Sequence, residues 1–277
     1  MSQPEPHAYA VPRSAPGRVD QLRYSVCTLV NDWDDYTAML ASAEAAGFDD
    51  SRAEFLYGDN REGNAFDGFS GLARLMAEAR GTYIILVHQD VRFEFDNLAA
   101  LDAQLAELEH RDPNWAVAGN AGRRGENYHL HISDPMGEDR RLGQLPAPVD
   151  VLDENFIVIR RASFVAPSRD LAGFHLYGLD LVRNAAMRGF GAWAIDFHIR
   201  HLSLGRLGQA YLEALEAYEA AKGRFGGGIV NTMIEPVFLS PSPWRHLTWL
   251  FKKRQRKKNV FYAVSQNGAA PNVPNTL

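Results

Sequence analysis

A single cysteine, Cys27, stands among the 277 residues. It excludes an intramolecular disulfide and any thiolate cluster for structural zinc, and a cytoplasmic, reducing location is expected on that ground. Long apolar runs are missing too. Nothing approaches the roughly 18–20 uninterrupted apolar residues of a membrane span, since even Thr82–Val87 is closed at once by His88, Gln89 and Asp90. The N-terminal stretch 1–22 has no apolar core of a secretion signal and reads as a flexible tail, as does 265–277. There is no internal repeat. Disorder as the main state is excluded by 46% hydrophobic and 23% charged residues, and the length suits one large domain with appendages.

Acids are absent after Glu235, while Arg245, Lys252, Lys253, Arg254, Arg256, Lys257 and Lys258 follow it. The net charge of −5 therefore conceals an acidic body and a short basic tail. A nucleic-acid-binding domain would line a surface of the fold itself with basic groups, so nucleic acid is not an expected partner. Trp244, Leu247, Trp249, Leu250 and Phe251 precede the cations directly, which makes 244–258 suited to peripheral contact with an anionic membrane surface or to docking on its own domain.

Between the tails, apolar runs of strand length alternate with helical periodicity, the pattern of βαβ units and a mostly parallel sheet flanked by helices: an α/β fold. Strands are expected at 24–30, 53–57, 82–87, 115–118, 155–159 and 192–196. Helices are expected at 36–46, 69–79, 98–109, 179–187 and 209–222, the last opening a helical extension over 208–264. The charge-free run 82–87 belongs at the sheet centre. Gly119–Pro148, with its glycines, prolines and mixed charge, reads as a long surface loop over a site.

Ligands of open parallel sheets bind beyond the carboxyl ends of the strands. Asn31 and Asp32 follow the first strand, Asp59 and Asn60 the second, and His88, Gln89 and Asp90 the central one. A lone Asp in such a place more often caps a helix or forms a turn. Asp90 ends the most buried strand, where a carboxylate can hold Mg²⁺ or Mn²⁺.

These residues, with Ala79–Val91 as a whole, resemble the nucleotide-sugar-binding half of family 2 glycosyltransferases of the GT-A (Rossmann-like) fold. The His88-Gln-Asp-Val91 tetrapeptide is similar to a bacterial branch that carries it in place of Asp-X-Asp. Val151–Arg161 resembles the acceptor-side strand, and Gly173–Leu181 the motif that opens the catalytic helix, over a resemblance running from about Tyr24 to Gly205. It implies a domain over 23–207 that transfers a sugar from a nucleoside-diphosphate donor, a UDP-sugar above all, to a glycan or lipid-linked acceptor hydroxyl with inversion, as in polysaccharide biosynthesis. The implied donor contacts are Asn31, Asp32, Asp59, Asn60, His88 and Asp90. The implied metal ligands for Mn²⁺ or Mg²⁺ are Asp90 and His201, and the implied general base is Asp180. Family members commonly carry an acid two or three residues before that Asp, where this chain has Tyr177 and Gly178. The deprotonation then falls to Asp180, or to Asp153 or Glu154 reaching in, or the chain binds a sugar nucleotide or glycan without turnover. A nucleotidyltransferase is a further reading, although Asn31–Asp35 is acidic and lacks the glycines of a phosphate loop.

Overall fold

The computed structural model describes residues 22–203 and 208–240. The two tails and the basic aromatic segment 244–258 lie outside the described residues. Among those described, no helix is long and apolar enough to cross a membrane.

The chain opens with β1 (Tyr24–Val30), α1 (Trp33–Ala45), β2 (Ala53–Asp59), α2 (Ser70–Glu78) and β3 (Tyr83–Val87). There follow a short β4 (Val91–Arg92), α3 (Leu98–Arg111) and β5 (Trp115–Gly119). Four strands come next: β6 (Ala121–Arg124), β7 (Asn127–Asp134), β8 (Gly137–Leu142) and β9 (Ala147–Pro148). The remainder of the first compact unit is β10 (Val151–Leu152), β11 (Phe156–Arg160), α4 (Tyr177–Met187), β12 (Gly191–Ala194) and β13 (Ile199–His201).

A seven-stranded sheet in the order β2-β1-β3-β11-β5-β12-β9 forms the centre. β1 pairs in parallel with β2 and β3, and β12 with β5, while β11 and β9 run against their neighbours. The fold is therefore α/β, with five of seven strands in one direction. The pleat sorts side chains to two faces. Tyr24 and Val26 of β1, Tyr83, Ile85 and Val87 of β3, and Phe156 and Val158 of β11 join one core with α1 (Tyr36, Met39, Ala43) and α3 (Leu101, Leu105, Leu108). The opposite face is covered by α2, packed on β1 and β2, and by α4, packed on β5 and β12. Burying a leucine such as Leu105 contributes about 1.5–3 kcal/mol, and α3 places four of them at helical spacing.

Residues 119–148 are not a surface loop. They form most of a second sheet, β10-β6-β7-β13-β4, with β8 paired to β7. Tyr128, Leu130 and Ile132 recur with period two, and Leu130 and Ile132 close a small core with Ala121, so burial of one face overrides the loop-like composition. The parallel pairing of β13 with β7 and its antiparallel pairing with β4 carry this sheet to the end of β3.

The second compact unit begins at Arg206. Among the described residues of the helical extension expected there, one helix, α5 (Gln209–Lys222), is followed by strands β14 (Gly228–Asn231) and β15 (Pro236–Leu239), which form a two-stranded sheet.

Candidate functional site

β1, β2 and β3 run in parallel and end side by side, so Asn31, Asp59 and His88–Asp90 are delivered to one edge. Gln89 fastens that edge. Its Oε1 accepts hydrogen bonds from the backbone N–H of Asn31 (2.9 Å) and Asp32 (3.0 Å), and its amide donates to Asn31 Oδ1.

His201 reaches Asp90 through strand register. In the antiparallel β13–β4 pair His201 lies opposite Val91, and Leu202 N donates to Asp90 O at 3.0 Å. The result is a three-residue cluster. His201 Nε2 lies 3.3 Å from Asp90 Oδ1 and 3.4 Å from His88 Nδ1. Ligands about 2.1 Å from a tetrahedral ion lie roughly 3.4 Å apart, so both contacts of His201 Nε2 have the length of a coordination-shell edge; with one ligand atom of each residue within 4.8 Å of the others, the three form a group able to hold a metal ion.

Hydrogen bonding supports the same assignment. Tyr177 OH donates to Glu154 O at 2.9 Å, and His88 Nε2 lies 3.1 Å from the same hydroxyl. With its one proton committed to the carbonyl, Tyr177 accepts from Nε2–H, which leaves the Nδ1 lone pair of His88 facing His201 and Asp90. Burial, then the neighbouring His201, pushes the His88 imidazole down to about 4, so it is neutral and free to ligate. Burial alone would raise the Asp90 carboxyl, but hydrogen bonds from His201 and Ser203 and the charge of the imidazoles outweigh it, and Asp90 titrates below the usual carboxylate range. His201 moves oppositely: burial would lower it, while the hydrogen bond to and charge of Asp90 raise it.

Other sequence-expected residues divide into those on the edge and those built into the scaffold. Asp59 ends β2 and pairs with Arg61, Nη2 to Oδ2 at 2.6 Å, which draws its carboxyl down. Asp32 is exposed and caps α1, its Oδ1 accepting from Asp34 N and Asp35 N at 3.0 Å each. Asn60 does not suit a donor contact. It is 7% exposed, and its side chain donates to Phe66 O (2.7 Å) and accepts from Phe66 N (2.9 Å), pinning the turn after β2.

Asp180, the expected general base, is enclosed as well. It is 0% exposed, and its two oxygens accept from Ser168 N (2.7 Å), Ser168 Oγ (2.9 Å) and Asn184 Nδ2 (3.0 Å). A carboxylate so enclosed locks the 168 loop onto α4 and has no path to an acceptor hydroxyl. Glu154, on the turn between β10 and β11, lies at the start of α4 instead. Its Oε1 accepts from Gly178 N at 3.1 Å, and the amides of Leu176 and Tyr177 also draw its carboxyl down. A Cβ at position 178 would stand 2.4 Å from Leu152 O and 3.2 Å from Glu154 Cγ, so the glycine at 178 is what lets the Leu152 backbone lie this close to α4, with Glu154 beside it. Burial and the adjacent Asp153 push the Glu154 carboxyl up to about 8, against those backbone hydrogen bonds.

Sequence reading passed over an aromatic cluster at the same edge. Trp33, 39% exposed, packs on Tyr36 and Tyr57 with ring centroids 5.4 Å apart in each pair, and the Arg61 guanidinium lies 4.7 Å over its ring. Its one sequence signal was an aromatic directly after a strand-end acid.

No family model matches the chain. A curated relative, the ATP synthase subunits region ORF 6 protein of Fuscovulum blasticum, is 45% identical over 187 residues, which are 65% of this chain and 75% of that protein. The chain belongs to the family of that ORF 6 protein. Among solved structures, S. aureus TarS is 13% identical with a TM-score of 0.49, over 73% of this chain and 39% of TarS. A mannosyltransferase from Pyrobaculum calidifontis, in complex with GDP-Man and Mn²⁺, is 12% identical with a TM-score of 0.44, over 80% of this chain and 63% of that one.

Proposed function

We propose that this ORF 6 family member is a metal-dependent glycosyltransferase that moves a sugar from a nucleoside-diphosphate donor to an acceptor hydroxyl. The observation that carries the reading is the strand-end edge itself: a His88–Asp90–His201 cluster with coordination spacing, beside an aromatic face and an acid at the ends of β1 and β2. Asp90, His88 and His201 would hold the ion, and two imidazoles in the set favour Mn²⁺ over Mg²⁺. A divalent ion there supplies positive charge against the negative charge collecting on the departing diphosphate.

The chain's own residues supply the rest. Trp33 offers a stacking surface for the nucleobase, on which the planar Arg61 guanidinium now lies and from which a base would displace it. Asp59 and Asn31 flank that surface as hydrogen-bonding partners for base and ribose, UDP first among the donors to be tried. With Asp180 enclosed, the base role passes to Glu154, held by the amides at the start of α4. Titrating near 8, it takes the acceptor proton best as pH rises through that value, close to the optimum for a general base.

The alternative, a member that binds a sugar nucleotide or glycan without turnover, draws support from the enclosure of Asp180. The two are separated by incubating the protein with UDP-, GDP-, CDP- and dTDP-sugars and Mn²⁺, following nucleotide release and transfer. Nucleotide binding and transfer in the wild type, with binding kept and transfer lost in Glu154→Gln, is the expected result. Binding with no release from any donor favours the non-turnover reading, and no nucleotide binding at all overturns the donor site.

A further inference from the structure

Away from the strand-end edge, the second sheet gathers another set of donor atoms. His131 lies on β7, Asp139 on β8, and His198 just ahead of β13. One ligand atom from each lies within 4.8 Å of the others. We infer that His131, Asp139 and His198 form a second metal site, for a late first-row divalent ion such as Zn²⁺, distinct from the Asp90 cluster.

The donor geometry carries the case. His131 Nδ1 lies 2.6 Å from Asp196 Oδ1, and a carboxylate only accepts, so Nδ1 bears the hydrogen. Nε2, the other ring nitrogen, faces Asp139 Oδ1 at 2.9 Å, a contact that needs a proton or a metal ion between the two atoms. Ser133 touches the other ring. Its Oγ accepts from Asp139 N at 3.0 Å and lies 2.9 Å from His198 Nε2. The remaining ring nitrogen, His198 Nδ1, lies 3.9 Å from Asp139 Oδ1. One carboxylate oxygen thus has a ring nitrogen of each histidine beside it, a donor set in which a divalent ion can replace the proton.

The surroundings fit a built site. Asp196 orients His131 and is itself held by Arg141, the carboxylate–histidine arrangement that fixes tautomer and raises ligand basicity. Asp139 is held in the left-handed region (φ 44°), outside the range most L residues prefer, and its side chain, 74% exposed, leaves an entry path. Two imidazoles and a carboxylate suit zinc-class ions and not Mg²⁺ or Ca²⁺. The two imidazole rings now stack at 4.2 Å and 17°, and Phe95 backs His198 at 3.9 Å. A shared ion must open that stack, and the opening falls to His131 and the exposed Asp139. Such an ion would staple β7, β8 and the segment before β13.

The test uses the full-length, metal-free protein and Zn²⁺ or Co²⁺ alone. Wild type is expected to bind two equivalents, Asp90→Asn to keep one, and His131→Gln/His198→Gln to keep one, while Asp196→Asn weakens the second site 10- to 100-fold. Imidazole ¹⁵N spectra of the wild type give a reading free of mutation: Zn²⁺ should shift His131 Nε2 and His198 Nδ1 together and relieve their mutual ring-current shift. Those resonances staying unchanged, or a His131 imidazolium bridging Asp139 and Asp196 that Zn²⁺ does not displace, overturns the site. So does a single equivalent lost entirely in Asp90→Asn, an outcome that leaves the glycosyltransferase reading standing.

Discussion

Asp90 and Asp180 are both acids at the terminus of a regular element in the same compact unit, yet the fold puts them to opposite uses. Asp90 leaves β3 into a turn and finds only partners that a metal could share: one imidazole of known tautomer, a second imidazole and a serine. Asp180 lies in the first turn of α4, fully buried, and both its oxygens accept hydrogen bonds, among them those of Ser168 and Asn184. A carboxylate sealed from solvent with both oxygens taken up by fixed donors is withheld from chemistry, because its charge lies buried behind them.

The most drastic way to test that contrast is Asp90→Asn. A nucleotide–Mn²⁺ complex at about 100 times its dissociation constant adds roughly 2.7 kcal/mol to stability, seen as a shift of a few degrees. Wild type should show that shift with one nucleotide in Mn²⁺, and the variant none. Asp180→Asn should do the reverse: an amide donor set against three donors costs about 2–3 kcal/mol of fold stability in chemical denaturation, with nucleotide affinity unchanged. A variant as stable as wild type but unable to transfer sugar would return the base role to Asp180.

Smaller effects refine the picture around Asp90. Tyr177→Phe removes the acceptor that fixes the His88 tautomer and should weaken Mn²⁺ about tenfold, near 1.4 kcal/mol, by calorimetric titration. Protons compete for the same atoms. In the metal-free protein the His201–Asp90 pair gives its full stabilisation below the ordinary imidazole value near 6.5 and loses it as pH rises through the raised value of His201. Mn²⁺ binding must expel that proton, so its affinity should climb with pH and level off above the same value, with proton release detectable by titrating in two buffers of different ionisation enthalpy. Trp33→Ala should cost the least, about 1 kcal/mol of nucleotide affinity with Mn²⁺ binding unaltered.

Much of the scaffold was legible because each element carried its own period. Leu101, Leu105 and Leu108 announced α3, and the uninterrupted Tyr83–Val87 announced the central strand; both signals are local. The second sheet was missed although Tyr128, Leu130 and Ile132 alternate, since glycine, proline and charge dominate the stretch and its burial comes from distant Ala121. At the site, Asp90 could be singled out as the end of a buried strand. Nothing local distinguished Asn60 and Asp180, whose partners Phe66, Ser168 and Asn184 decide their roles.

Composition and periodicity by themselves determined an α/β chain with acids gathered at successive strand ends, because hydrophobic period and strand direction are properties of short segments. Only the tertiary structure decided which polar groups remain open. The register of β13 on β4 brings His201 to Asp90, and a backbone approach of Leu152 too close for any side chain at Gly178 sets α4 where the Gly178 amide meets Glu154. Satisfaction of a hydrogen bond depends on a partner that can lie a hundred residues away, and no local pattern records it.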